Sequence, residues 1–101
     1  MVAQTLIGMA LLTIKTSVQT TQALLSKALT LQPRYAEAVI YSGVLEESRQ
    51  NLPAARRHYE KGVALDPSLF VGHFNLGRVA GQMHDWPLAV RELEKAAKLE
   101  P

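Results

Sequence analysis

The chain of 101 residues contains no cysteine, which excludes a disulfide framework and thiolate zinc sites and leaves packing as the source of stability. It has little charge of one sign: eleven Lys and Arg stand against nine Asp and Glu. The basic residues are scattered rather than run together, so a nucleic-acid surface is not expected. Long hydrophobic runs are missing too. Val2 to Ile14 carries no charge, but it falls short of the roughly 20 apolar residues a membrane span needs, and no basic stretch precedes it as in a secretory signal. These absences point to a protein outside the membrane, and a cytoplasmic setting is expected, with the periplasm or a place within a larger protein left open. What is present is apolar content: 48% of the residues are hydrophobic, enough to fold one small domain spanning residues 1–101.

The arrangement of those residues is periodic. Pro33, Pro67 and Pro101 are spaced by 34, as are Pro53 and Pro87, Gly43 and Gly77, Ala55 and Ala89, Arg57 and Arg91, Glu60 and Glu94, Lys61 and Lys95, and Leu65 and Leu99. Residues 36–67 and 70–101 share eight identities in 32 places, concentrated at positions with backbone or packing meaning. The stretch 2–33 joins this register through Lys27, Leu31 and Pro33 and reads as a degenerate first copy.

Each copy predicts two helices and a tight turn. Ser17, Asn51 and Asp85 are equivalent, and each can accept a hydrogen bond from an orphan amide at a helix start. Pro53 and Pro87 follow at the first helical turn, where a missing N–H costs little. Prolines close the second helices. The pattern predicts helices at 2–15, 18–31, 36–49, 52–65, 70–83 and 86–99, six antiparallel elements and no strand. Gly43 and Gly77 fall inside first helices at a cost of about 1 kcal/mol each, so close approach of the paired helix is expected there, with Tyr59 and Leu93 interlocking.

In order and spacing, Asn75-Leu76-Gly77, Asp85-Trp86, Ala89, Glu94-Lys95-Ala96 and Leu99-Glu100-Pro101 resemble the tetratricopeptide repeat. Residues 36–67 are similar through Gly43, Asn51, Ala55, Tyr59, Lys61, Leu65, Asp66 and Pro67, while Ser42, Glu46 and Gly62 depart from the pattern; Leu24-Leu25-Ser26-Lys27-Ala28-Leu29 fits a second helix of the first copy. The resemblance implies an all-α solenoid, a right-handed superhelix of about three helix-turn-helix units at 2–33, 36–67 and 70–101. It also implies a concave groove lined by the first helices that holds a peptide or a helix of a partner protein.

Helical spacing then nominates the groove residues: Ala3, Leu6 and Ala10 in the first copy, Glu37, Ile40, Val44 and Glu47 in the second, Val71, Phe74, Asn75 and Arg78 in the third. The stripe is chiefly apolar, and it would suit an apolar or amphipathic segment. In chaperone-tail-binding members of the family, Lys, Asn and Arg side chains grip a terminal carboxylate; the corresponding places here hold Leu6, Ala10, Tyr41, Val71 and Asn75, so that ligand is not expected.

The second function class is a self-associating scaffold. A repeat stack usually finishes with a polar helix, yet the last helix here is apolar at Val90, Leu93 and Ala97, where open ends could stack into homo-oligomers. Catalysis is not expected. His58, His73 and His84 have no metal-ligand spacing, His73 reads as a packed core imidazole, the serines lack nucleophile context, and Gly62, Gly72 and Gly81 build no phosphate loop. Neither cofactor nor metal is predicted.

Overall fold

The structure, a computed structural model, describes residues 3–7 and 18–100. Residues 3–7 are helical and are called α1; α2 (Val18–Leu31), α3 (Ala36–Ser48), α4 (Leu52–Leu65), α5 (Phe70–Gln82) and α6 (Trp86–Leu99) follow. No strand occurs among the described residues. The described helices begin and end within a residue of the sequence-derived bounds; the remainder of the helix expected at 2–15, the cap at Ser17 and the groove candidate Ala10 lie outside the described residues.

The turns explain this agreement. Asn51 and Asp85 accept from the amides of Ala54 and Leu88, and Pro53 and Pro87 occupy the first helical turn behind them. One device escaped the sequence pattern. Gln50 and His84, one repeat apart, adopt left-handed backbone (φ 59° and 62°) just past α3 and α5. There Asn51 N donates to Glu46 O and Gln50 N to Glu47 O, while Asp85 N donates to Ala80 O and His84 N to Gly81 O. These bonds satisfy the last carbonyls of α3 and α5, a closure that usually places glycine in the left-handed position. After α4, Asp66 accepts from both the amide and the hydroxyl of Ser68, fixing the turn around Pro67.

Packing is between neighbours in sequence. α3 pairs most extensively with α4 and α5 with α6; α4 against α5 and α2 against α3 join the pairs into a stack. α3 also touches α5, whereas α4 and α6 meet less, so the stack bends toward its first helices. Ile40, Ala55, Tyr59, Leu76, Val79, Ala80, Leu88 and Ala89 form one continuous core. Leu6, Ile7, Ala28 and Ala38 form a separate cluster beneath α1.

The glycines mark the closest crossings. A β-carbon on Gly43 would lie 2.5 Å from Tyr59 Cε1 and 3.1 Å from the Ala55 carbonyl oxygen; on Gly77 it would lie 2.7 Å from Leu93 Cγ and 3.1 Å from the Leu93 amide. Lost helix propensity is thereby offset by interlocking side chains, as the sequence predicts.

Candidate functional site

The surface shared by α3 and α5 carries most of the nominated groove residues. Periodicity along α5 places Phe70, Phe74 and Arg78 in one row at intervals of four. Phe70 and Phe74 stack at 5.4 Å with their rings 17° apart, and Phe74 remains 40% exposed. Val44 and Val71 are half-buried beside the core, and Glu37 is half-buried at the start of α3.

The polar groove residues are engaged with one another. Arg78 donates from Nη1 to Glu47 Oε2 at 2.7 Å and from Nη2 to Glu47 Oε1 at 2.6 Å, a bidentate bridge from α5 to α3. Its Nη2 also donates to Asn75 Oδ1 at 2.8 Å, and Asn75 turns its amide nitrogen back to Val71 O at 2.9 Å. The Tyr59 hydroxyl, from α4, donates to Glu47 Oε1 as well. Burial pushes the Glu47 carboxyl upward, but the bonds from Arg78 and Tyr59 outweigh it and hold the group below its usual range. The same contact raises Arg78, and burial together with Glu47 drives the Tyr59 phenol well above its ordinary value. The cluster ties three helices together and presents almost no net charge.

Four nominated residues, Ala3, Leu6, Ile40 and Asn75, are buried and not available to a ligand. Ile40 is fully buried, because Gly62 and Gly72 let α4 and α5 close over it: a β-carbon at Gly72 would lie 3.2 Å from Ile40 Cδ1, and one at Gly62 would collide with Cγ1. Its helical row runs along the groove, but the loss of two neighbouring side chains draws it into the core. Leu6 is likewise buried, against Ala28 and Ala38. Asn75 is 8% exposed and serves the Arg78 cluster. Glu37, Val44, Glu47, Val71, Phe74 and Arg78 therefore compose the accessible face.

His73 is indeed a core imidazole, but it has a partner that the sequence reading missed. Its Nε2 lies 2.7 Å from Pro67 O, which can only accept, and its Nδ1 lies 2.8 Å from Glu92 Oε1 on α6. Both side chains are 3% exposed as residues. Burial raises the Glu92 carboxyl, yet the bond from His73 and the nearby Lys95 prevail and lower it overall. The missed signal is that His73 and Glu92 replace Val39 and His58 at the same repeat positions.

No group of three His, Asp or Glu side chains among the described residues is placed to hold a metal ion. A depression of about 590 Å³ opens between the turns preceding α3 and α5, lined by Leu31, Pro33, Tyr35, Leu65 and Leu69 with Arg34 at its rim. No described helix is long and apolar enough to cross a membrane.

With this geometry in view, the chain is similar in fold to known solenoids. A crystal structure of MamA superposes with a TM-score of 0.82 at 20% identity, covering 96% of this chain and 57% of MamA. A second MamA structure gives 0.78 at 21% identity, covering 97% of this chain and 54% of that one. A mutant of the Thermobaculum terrenum O-GlcNAc transferase gives 0.85 at 26% identity, covering 99% of this chain but 19% of the enzyme. The chain thus spans a little over half the length of these MamA chains and about a fifth of the transferase. No protein-family model and no curated protein matches the sequence. The chain has the tetratricopeptide-repeat fold, an all-α solenoid of stacked antiparallel helix pairs.

Proposed function

We propose that the chain is a non-catalytic protein-interaction module that takes a peptide segment or helix of a partner protein against the face formed by α3 and α5. The observation that carries this reading is Phe74: a large aromatic side chain 40% exposed, stacked on Phe70 and one helical turn from Val71 on the same face of α5. An aromatic anchor whose ordering cost is already met is the kind of residue that dominates binding energy. The Glu47–Arg78 bridge supplies a rigid floor rather than a free charge. Glu37, with no ion-pair partner among the described residues, leaves one negative site at the rim. The matching ligand is an amphipathic segment with an apolar side chain over Phe74 and a basic residue near Glu37.

The test is selection of binding peptides from a random library on the intact chain, followed by affinity measurement on Phe74→Ala. Because Phe74 is partly exposed, the variant is expected to keep its melting temperature while losing at least about ten-fold in affinity, or roughly 1.4 kcal/mol. Peptides that bind the variant equally well would show that they sit elsewhere. Acidic C-terminal peptides are expected not to bind, since the places for carboxylate donors hold Leu6, Tyr41 and Val71.

A further inference from the structure

The depression between the α2–α3 and α4–α5 turns is built from the same places of two successive repeats. Leu31 and Leu65 end α2 and α4, Tyr35 and Leu69 stand just before α3 and α5, and each pair is 34 residues apart. With Pro33 they wall about 590 Å³ with hydrocarbon and one phenol ring. Leu31 is 49% exposed, and Tyr35, Leu65 and Leu69 are half-buried, so the walls are open to a ligand. The charged groups of the lining are Arg34, Glu37 and Asp66, one guanidinium against two carboxylates. Asp66 takes both bonds from Ser68 on Oδ1; they hold its carboxyl below the usual range and leave Oδ2 unused among the described residues. Glu37 has no ion-pair partner among the described residues. The cavity thus combines apolar walls with an excess of unneutralised negative charge.

We propose that this depression receives an arginine side chain of the partner segment, a site that rests on the interaction-module reading and gives the basic residue of that ligand its seat. Arginine joins an aliphatic stem to a planar cation. The stem can lie on Leu31, Leu65 and Leu69 while the guanidinium meets the carboxylates of Glu37 and Asp66 and the ring of Tyr35. A purely aliphatic side chain would leave both carboxylates unmatched, and an acidic one would meet the excess of negative charge. Lysine offers the charge without the planar group that stacks on a ring. The seat is continuous with the face proposed for the ligand: Glu37 belongs to both, and Leu69 immediately precedes Phe70, on which Phe74 stacks. Arg34 opposes an incoming cation and sets the affinity lower than the two carboxylates alone would.

Titration of the isotope-labelled whole chain with N-acetyl-arginine methylamide, followed by amide chemical shifts, tests the seat. Saturable shifts are expected at residues 31–37 and 65–69, weaker with the lysine derivative and absent with the norleucine derivative, which keeps a stem without the charge. Glu37→Gln with Asp66→Asn is expected to abolish them; Asn still accepts from Ser68, so the turn is kept. Arg34→Ala should tighten binding about two-fold by removing the opposing charge. Shifts scattered over the surface, equal binding of the norleucine derivative, or shifts that survive the double variant overturn the proposal. Equal binding of the lysine derivative overturns the assignment to arginine, and tighter binding of N-acetyl-norleucine as its free acid gives the cavity to a carboxylate at Arg34 instead. Phe74 lies outside the lining, so Phe74→Ala is expected to leave this titration unchanged. Failure of peptide capture at Phe74 with the arginine shifts intact overturns the groove reading alone, whereas capture without those shifts overturns the arginine seat alone.

Discussion

In the hairpin α3–α4 the side chain seated over the helix glycine is Tyr59, wholly buried and hydrogen-bonded to Glu47; in α5–α6 the same place is held by Leu93, 40% exposed. Both cross a glycine at nearly the same distance. What differs is the next element, since α5 lies over α4 while no described helix lies over α6. A second contrast runs through the interior. Where the first hairpin has buried Val39 and half-buried His58, the second has the buried pair His73–Glu92. Equivalent repeat positions thus fix where a side chain points, and the neighbours decide whether it is core, clasp or surface.

The largest break in this comparison is expected at His73. Replacing it with Leu strips Glu92 of its buried partner and is expected to cost about 3 kcal/mol in urea denaturation, whereas the His73→Val/Glu92→Leu double variant, apolar like Val39, should recover most of the loss. A double variant as unstable as the single one would contradict the pairing. The glycine crossings come next. Both sites press a backbone atom at 3.1 Å, so the difference lies in the side chains: Gly43→Leu is expected to cost about 3 kcal/mol, because Tyr59 is enclosed, and Gly77→Leu about 2 kcal/mol, because the Leu93 side chain can swing into solvent. Equal losses at the two sites would sink the claim that enclosure, rather than the crossing itself, sets the penalty.

Acid titration reads both hairpins together. Glu47 and Glu92 are held below the ordinary glutamate value of 4.5, so each contributes stability that is complete above that value and fades as pH falls through it toward the lowered one. Melting temperature should drop across that interval, and the drop should flatten when both residues are changed to Gln. The smallest effect is expected at the left-handed turns: Gln50→Gly should stabilise by about 1 kcal/mol, since glycine adopts that backbone without strain. His84→Gly should gain less, because it gives up the edge-on contact of His84 with Trp86 at 5.5 Å.

Much of the fold was legible in the chain because its turns are chemically marked. Asn51, Asp85, Pro53 and Pro87 start helices through their own hydrogen-bonding and dihedral properties, and these act within a few residues. The closure at Gln50 and His84 was not legible, since neither is the glycine that usually signals it. The groove was read only in outline. Helical spacing put Ile40 in line with Phe74, but nothing local says that the absence of side chains at Gly62 and Gly72, more than twenty residues away, would enclose one and leave the other outside. The Glu47–Arg78 bridge spans 31 residues, and its members were chosen as separate polar markers with no hint that they neutralise each other.

By itself, then, the sequence determined the period, the helix ends and the two glycine crossings, because capping, proline geometry and side-chain size are properties of a residue and its near neighbours. Tertiary structure alone decided which apolar side chains are hidden, which charges are paired and which helix face stands open, because burial and pairing depend on elements that meet only after the chain has stacked.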